Sequence, residues 1–311
     1  MPTVDRQSPP IGRFAPSPTG DLHFGSLVAA VASFLQARHA GGQWLVRIDD
    51  IDPPREVPDS ATRIIQELRH FGMISDSPVL FQSCRGTAYR AALEWLLERN
   101  LAYWCGCSRS DLPPSGIYPG TCSKGLPAGK QPRAVRLRVP DESIGFEDLI
   151  QGSIVENLQQ TVGDFVIWRA DGLPAYQLAA VVDDAFQGVT EVVRGSDLLD
   201  STARQISLQR RLGLPTPCYA HHPVATDAGG RKLGKRLGSD PVGRLSTSQT
   251  LLRSLRFLGQ PCPDGLALAE TWQWALANWR LASVPRMRAI PIADNDRSGG
   301  LARMKPDRQT V

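Results

Sequence analysis

No apolar run of membrane-spanning length occurs anywhere in the chain, and Met1 to Pro10 carries charge and two adjacent prolines where an export signal would be apolar. We therefore expect no signal peptide, no membrane anchor and a cytoplasmic setting. An excess of one charge sign is also lacking: 35 Lys and Arg oppose 31 Asp and Glu, a formal net charge of +4. An anionic partner is favoured by that balance without being demanded. There is no internal repeat, which excludes a solenoid or propeller. Cysteine is sparse, and in a chain without export features its six residues do not read as a disulfide framework. What the sequence does have is 311 residues of ordinary globular composition, 41% hydrophobic and 21% charged, enough for a sizeable core in two or three compact units.

The pattern along the chain is mostly alternating. Ile11 to Ala15 reads as a short strand broken by Pro16-Ser17-Pro18-Thr19-Gly20, and from Gly25 the positions Leu27, Val31, Phe34 and Leu35 have helical spacing up to Gly41-Gly42. Trp44 to Ile48 reads as a buried strand, with helices over Ser60 to Phe71 and Tyr89 to Asn100. Strand, helix, strand, helix implies a parallel sheet. A Cys-, Pro- and Gly-rich stretch then runs to about Pro132, followed by strands at Arg133 to Val139, Phe146 to Asn157 and Asp164 to Arg169 and a hairpin signal at Asp171-Gly172. Helices follow at Leu198 to Leu212, Ser248 to Leu258 and Leu268 to Trp279. Residues 10–100 and 191–240 are thus read as one alternating α/β domain, 101–190 as an insertion, 241–285 as a helical unit, and 286–311 as a disordered tail.

Two clusters carry phosphate chemistry. His23, Gly25 and Ser26 stand between a strand and a helix N-terminus, where backbone N–H groups face an anion, His23 can donate to phosphate oxygens and Gly25 lets a nucleotide approach. Taken alone, this reads as well as a proline-rich turn with a capping histidine. Arg231-Lys232-Leu233-Gly234-Lys235-Arg236 is a basic stretch beside glycines; Lys232 and Lys235 there can stabilise charge on departing pyrophosphate, or form a merely solvated basic loop.

In this order the two clusters resemble the paired signatures of class I aminoacyl-tRNA synthetases. Arg13-Phe14-Ala15-Pro16-Ser17-Pro18-Thr19-Gly20 and Val46-Arg47-Ile48-Asp49-Asp50-Ile51-Asp52 are similar to the motifs of the glutamyl-tRNA synthetases. Asp52 to Glu56, Ala175 to Ala179, Val192 to Asp197 and the short C-terminal region resemble their short paralogues, which glutamylate queuosine in tRNA(Asp). The resemblance implies an α/β fold: a Rossmann-type nucleotide-binding catalytic domain, an inserted zinc-containing α+β subdomain and a small C-terminal helical unit. It also implies a ligase acting on L-glutamate, ATP with Mg²⁺, and tRNA(Asp) carrying queuosine, working as a monomer.

By the same resemblance, Arg13, Ser17 and Arg194 hold the carboxylates of glutamate, and Asp49 and Tyr176 its ammonium; without it, Arg194 reads as a surface ion pair and Tyr176 as a packed aromatic. His23, Gly25, Ser26, Lys232 and Lys235 take ATP, with His23, Gly25 and Lys235 catalytic. The chain departs from the family at Asp49, where glutamate is usual, and at Gly234, where serine is usual. The first shortens the reach to the ammonium, and the second concentrates the loop's work on Lys235.

Cys105, Cys107 and Cys122 with Tyr118 form the third constellation: three thiolates and a fourth donor satisfy tetrahedral zinc, and a filled shell makes it structural. The spacing, Cys-x-Cys, ten residues, Tyr, three residues, Cys, is similar to the zinc site of the queuosine-modifying paralogues, where the tyrosine phenolate is the fourth ligand. Three buried free thiols beside a packed tyrosine would look the same in sequence. Asp183-Asp184 reads as turn or capping residues, with Mg²⁺ binding the less favoured use; His221-His222 reads as a strand end, and Trp272, Trp274 and Trp279 as helix-packing aromatics. Two rival functions stay open here, a truncated glutamyl-tRNA synthetase charging a tRNA 3′ end and a non-catalytic tRNA-binding paralogue.

Overall fold

The computed structural model describes residues 8–227, 229–232 and 246–292. The chain begins with β1 (Ile11–Phe14), α1 (Phe24–His39), β2 (Gln43–Ile48), α2 (Ser60–His70), β3 (Leu80–Phe81) and α3 (Gly86–Glu98). Next come β4 (Ala102–Cys105), β5 (Ala134–Leu137), β6 (Ser143–Asp148), β7 (Gly152–Asn157), α4 (Leu158–Thr161), β8 (Val166–Trp168) and α5 (Tyr176–Phe186). The remainder is β9 (Glu191–Gly195), α6 (Leu199–Leu212), β10 (Cys218–His222), β11 (Val224–Thr226), α7 (Thr247–Phe257), α8 (Leu268–Asn278) and β12 (Ala289–Pro291).

Seven strands form the main sheet in the order β3-β2-β1-β9-β10-β6-β7, parallel except for the antiparallel β6–β7 pair at one edge. The inner strands are buried along nearly their whole length rather than on alternate residues, and they enclose Arg13, Arg47, Glu191 and Arg194 among their apolar side chains. α1 buries Leu27, Val31 and Leu35 completely, because the sheet covers one side and α7 with α8 the other. That double cover explains why its apolar residues do not keep to one stripe. Trp44 anchors this core, stacked on Phe14 at 6.5 Å and edge-on to Phe34 at 5.2 Å, with its ring N–H donated to Ser33.

The helical unit is packed as the tryptophans suggest: Trp272 donates to the Phe71 carbonyl at 2.7 Å and Trp279 to Gln36 at 2.8 Å. The region read as one insertion divides. β4, β5 and β8 make a separate three-stranded antiparallel sheet, whereas the β6–β7 hairpin joins the main sheet beside β10. After β8 the chain turns at Gly172, whose φ of +83° suits glycine, and returns through a bridge from Trp168 to Pro174. The stretch from Arg286 differs from the expected tail over its described part: Ala289–Pro291 pairs in parallel with Val224–Thr226. Its three residues, Ala289, Ile290 and Pro291, are too few to show a period, and the strand lies near the surface and needs only backbone pairing. Residues 293–311 lie outside the described residues. No helix among the described residues is long and apolar enough to cross a membrane.

Candidate active site

β1 and β9 are neighbours, yet the chain leaves β1 toward β2 on one side and β9 toward β10 on the other. Such a switch in strand order opens a crevice at the strands' carboxyl ends, where open α/β sheets take their ligands. A cavity of about 260 Å³ lies there, and Arg13, Ser17, His23, Gly25, Ser26, Tyr176, Arg194 and Lys232 all line it. The structure thus brings together eight of the residues singled out from sequence. Lys235 lies outside the described residues, and Asp49 does not line the cavity.

The proline-rich turn after β1 is held from both sides. Ser60 accepts the Gly20 N–H at 3.1 Å and donates to the Gly20 carbonyl at 2.6 Å, while Asp49 donates its backbone N–H to Pro16. The turn delivers His23 to the N-cap of α1, where Nδ1 accepts the Ser26 N–H at 3.2 Å and Ser26 Oγ accepts the His23 N–H at 3.0 Å. The capping and phosphate-facing readings of His23 are therefore compatible. Because Nδ1 is an acceptor, the neutral ring carries its hydrogen on Nε2, the donor that an anion at the helix N-terminus requires.

Behind the cavity lies a buried charge cluster that sequence reasoning largely missed. Arg47, fully buried, pairs with Asp49 at 2.8 Å and with Asp184 at 2.6 Å; Arg13 reaches Asp184 only through Nε, at 3.3 Å. Asp183 accepts from Gln82, Arg85 and Tyr89. The pair Asp183-Asp184 is thus neither a turn nor a cap; both are α5 residues with arginine partners, which leaves Mg²⁺ no call on them. Burial opposes ionisation of Asp184, but Arg13 and Arg47 hold its carboxyl below the usual range. Asp49 goes the other way: burial pushes it up to about 6 despite Arg47. Since Arg47 satisfies Asp184 closely, the terminal nitrogens of Arg13 have no partner among the described residues and can serve a carboxylate in the cavity.

Arg194 is 5% exposed, so it is no surface ion pair. Its short contacts run to buried groups, His221 at 2.9 Å, Gln205 at 2.8 Å and Thr202 at 3.0 Å. The longer ones, to the Tyr176 hydroxyl at 3.4 Å and the Leu198 carbonyl at 3.2 Å, lie toward residues that line the cavity. Tyr176 is therefore a half-buried wall residue rather than a core aromatic. Lys232 pairs with Asp197 at 2.5 Å at the cavity rim. His221 and His222 close β10, as the sequence reading has them, and His222 lines the cavity with Asp197. Asp148, Asp197 and Arg47 had no role in the sequence reading, because their partners lie far along the chain or in another element.

The second site is the cysteine cluster. The sulfurs of Cys105, Cys107 and Cys122 lie within 4.8 Å of one another, and Tyr118 Oη is 3.4 Å from the first and 3.8 Å from the second. Tetrahedral zinc with Zn–S near 2.3 Å sets sulfurs roughly 3.8 Å apart, so the donor set fits. Tyr118 Oη also accepts the Cys122 N–H at 2.9 Å, which fixes its aim. Gly163 makes that placement possible: φ is +70°, and a Cβ would stand 2.1 Å from the Tyr118 carbonyl oxygen. Arg136 donates to Cys105 at 3.2 Å and lies 3.7 Å over the Tyr118 ring, a cation beside a donor set that would be strongly anionic. Burial works against ionisation of Cys105, yet Tyr118, the Cys107 amide and Arg136 hold its thiol below the usual range, while burial and Cys122 push Cys107 up to about 11.

A switch-point cavity at a capped helix, with arginines on two inner strands, is a crevice of the kind in which open α/β sheets take anionic ligands. The sequence profile described as "tRNA synthetases class I (E and Q), catalytic domain" matches residues 11–114 and 123–250. The chain is 52% identical over 295 residues to a glutamyl-Q tRNA(Asp) synthetase of Dechloromonas aromatica, covering 91% of this chain and 98% of that one. It is 49% identical to that of Pseudomonas fluorescens, covering 94% and 99%. A glutamate-tRNA synthetase structure from Elizabethkingia anophelis superposes with a TM-score of 0.75 at 25% identity, over 91% of this chain and 68% of that one. The chain belongs to the glutamyl-Q tRNA(Asp) synthetase family of class I tRNA synthetases, and it is a ligase.

Proposed function

We propose that the chain activates L-glutamate with ATP and transfers it to queuosine in the anticodon loop of tRNA(Asp). The α-carboxylate of glutamate attacks the α-phosphorus of ATP, pyrophosphate leaves, and a glutamyl-adenylate remains. A hydroxyl of the queuosine cyclopentenediol then attacks the anhydride carbonyl, and AMP leaves. The observation that carries this reading is the convergence of Arg13, Arg194 and Tyr176 with His23, Gly25, Ser26 and Lys232 on one cavity. Arg13, whose terminal nitrogens have no partner among the described residues, matches one carboxylate of glutamate by charge and fork geometry, and Arg194 matches the other by charge, exchanging its longer contacts to Tyr176 and Leu198 for it. His23, through Nε2–H, and the α1 N-terminus match the triphosphate, with Lys232 and Lys235 on the leaving pyrophosphate and Mg²⁺ accompanying ATP.

The ammonium falls to Tyr176 directly. Asp49, turned toward Arg47 and one methylene short of the usual glutamate, acts on it through water. Cys105, Cys107, Cys122 and Tyr118 hold zinc; a filled shell supplies no substrate position, so the metal braces the β4–β5–β8 region. The working unit is a monomer, and the cytoplasm supplies both tRNA and ATP. The test is glutamate-dependent ATP–pyrophosphate exchange without tRNA, followed by transfer of labelled glutamate to queuosine-containing tRNA(Asp). Label released with the terminal adenosine on nuclease cleavage, or no exchange at all, would overturn the reading.

A further inference from the structure

We propose that Asp148, on the edge hairpin and outside the cavity, positions the Arg194 guanidinium through the ring of His221. Asp148 and His221 are fully buried, and neither lines the cavity. Oδ2 of Asp148 lies 2.5 Å from His221 Nδ1, and His221 Nε2 lies 2.9 Å from Arg194 Nε. An arginine Nε–H can only donate, so Nε2 must present a lone pair, and the ring hydrogen must sit on Nδ1, facing the carboxylate. Thr202, 3.3 Å from the same Nε2 and 3.0 Å from an Arg194 terminal nitrogen, completes the bracket.

The carboxylate end is itself locked. Asp148 Oδ1 accepts the backbone N–H groups of Ile150 at 3.0 Å, Gln151 at 2.8 Å and His221 at 3.1 Å. With Oδ1 committed to three donors, only Oδ2 is left for the ring. The chain of contacts thus fixes one imidazole tautomer and, through it, the rotation of the guanidinium whose outer edge faces Tyr176 and the cavity. In this role Asp148 and His221 are positioning residues, and the inference rests on the reading of Arg194 as a glutamate-carboxylate clamp.

That geometry makes an isosteric change informative. In Asp148→Asn the amide oxygen must stay with the three backbone donors, so the NH₂ group faces Nδ1. The ring hydrogen then moves to Nε2 and opposes the Arg194 Nε–H, donor against donor. In ATP–pyrophosphate exchange without tRNA, we expect the glutamate KM to rise roughly ten- to a hundredfold, the scale of a lost charge-assisted hydrogen bond. The KM for ATP should stay close to that of the parent.

His221→Gln can accept from Arg194 and donate to Asp148, and should keep the glutamate KM near the parent value, whereas His221→Leu should raise it. This pair carries the test if Asp148→Asn does not fold. Arg194→Lys, which keeps the charge but loses the fork, should raise the glutamate KM, and adding Asp148→Asn to it should cost little more. A rise with Arg194→Lys but none with Asp148→Asn overturns the positioning role, as does a parallel rise in the ATP KM with lost stability. An unchanged glutamate KM in Arg194→Lys overturns the underlying reading of the cavity instead.

Discussion

Asp49 shows how one methylene redistributes a site. Its carboxylate is buried against Arg47 and stands behind the Pro16 turn rather than in the cavity. Asp49→Glu should extend a carboxylate toward the ammonium and lower the glutamate KM in pyrophosphate exchange while leaving the ATP KM in place. A raised glutamate KM would show that Asp49 serves mainly to hold Arg47. At this scale the motif residues were legible in the sequence because their chemistry is written in short contiguous runs. Arg47, Asp184 and His221 were not, since their value comes from partners up to 171 residues away, such as Asp184 for Arg13. Nothing local distinguishes a buried ion pair from a capping carboxylate.

Among the elements, the β4–β5–β8 sheet and the C-terminal strand each make a separate demand. Arg136 reaches from β5 to both Cys105 and Tyr118, so Arg136→Leu should leave an anionic donor set uncompensated and lower zinc retention against a chelator by roughly tenfold or more, the usual scale for losing such an outer contact. Gly163→Ala should do the same by displacing Tyr118, and elemental analysis of both purified variants checks the pair. The strand Ala289–Pro291 was illegible because pairing needs backbone, not an apolar pattern. It ties Val224 N–H to the Arg288 carbonyl at 3.0 Å and Ile292 N–H to the Thr226 carbonyl at 2.8 Å. Val224 and Ala225 line the cavity, so a chain ending at Pro285 should bind ATP more weakly and melt several degrees lower. The helices α1, α2, α3, α6, α7 and α8, by contrast, were readable to within a few residues, because capping and periodicity are local, whereas the buried α5 was not read as a helix at all.

Across the whole molecule, buried histidines set the response to acid. His221 and His222 are both pushed down to about 4, first by burial. In the unfolded chain they return toward the ordinary value of 6.5, so between about 6.5 and about 4 the unfolded state binds more protons and stability is lost as pH falls. Asp49, raised from 3.8 to about 6, works oppositely, since there the folded state binds the extra proton as pH falls through 6. Glu67, which burial also pushes up, acts in the same sense as Asp49. His222 has the simpler surroundings: Nδ1–H donates to the Pro223 carbonyl, while Nε2 has no partner among the described residues. Urea unfolding between pH 7 and pH 5 should therefore show a shallower pH dependence in His222→Gln than in the parent, and an unchanged slope would contradict the assignment.

The position of β1 in the sheet also bears on how the protein is made. β1 is synthesised well before β9, yet it lies inside the sheet, with β2 on one flank and β9 on the other. A nascent chain that has not yet reached Gly195 must carry β1 with one edge unpaired, the kind of exposed strand that invites wrong partners. The cavity wall contributed by β11 arrives later still. Ribosome-stalled chains truncated before and after β9 should thus differ sharply in protease resistance, and ATP binding should be acquired only by the longer ones.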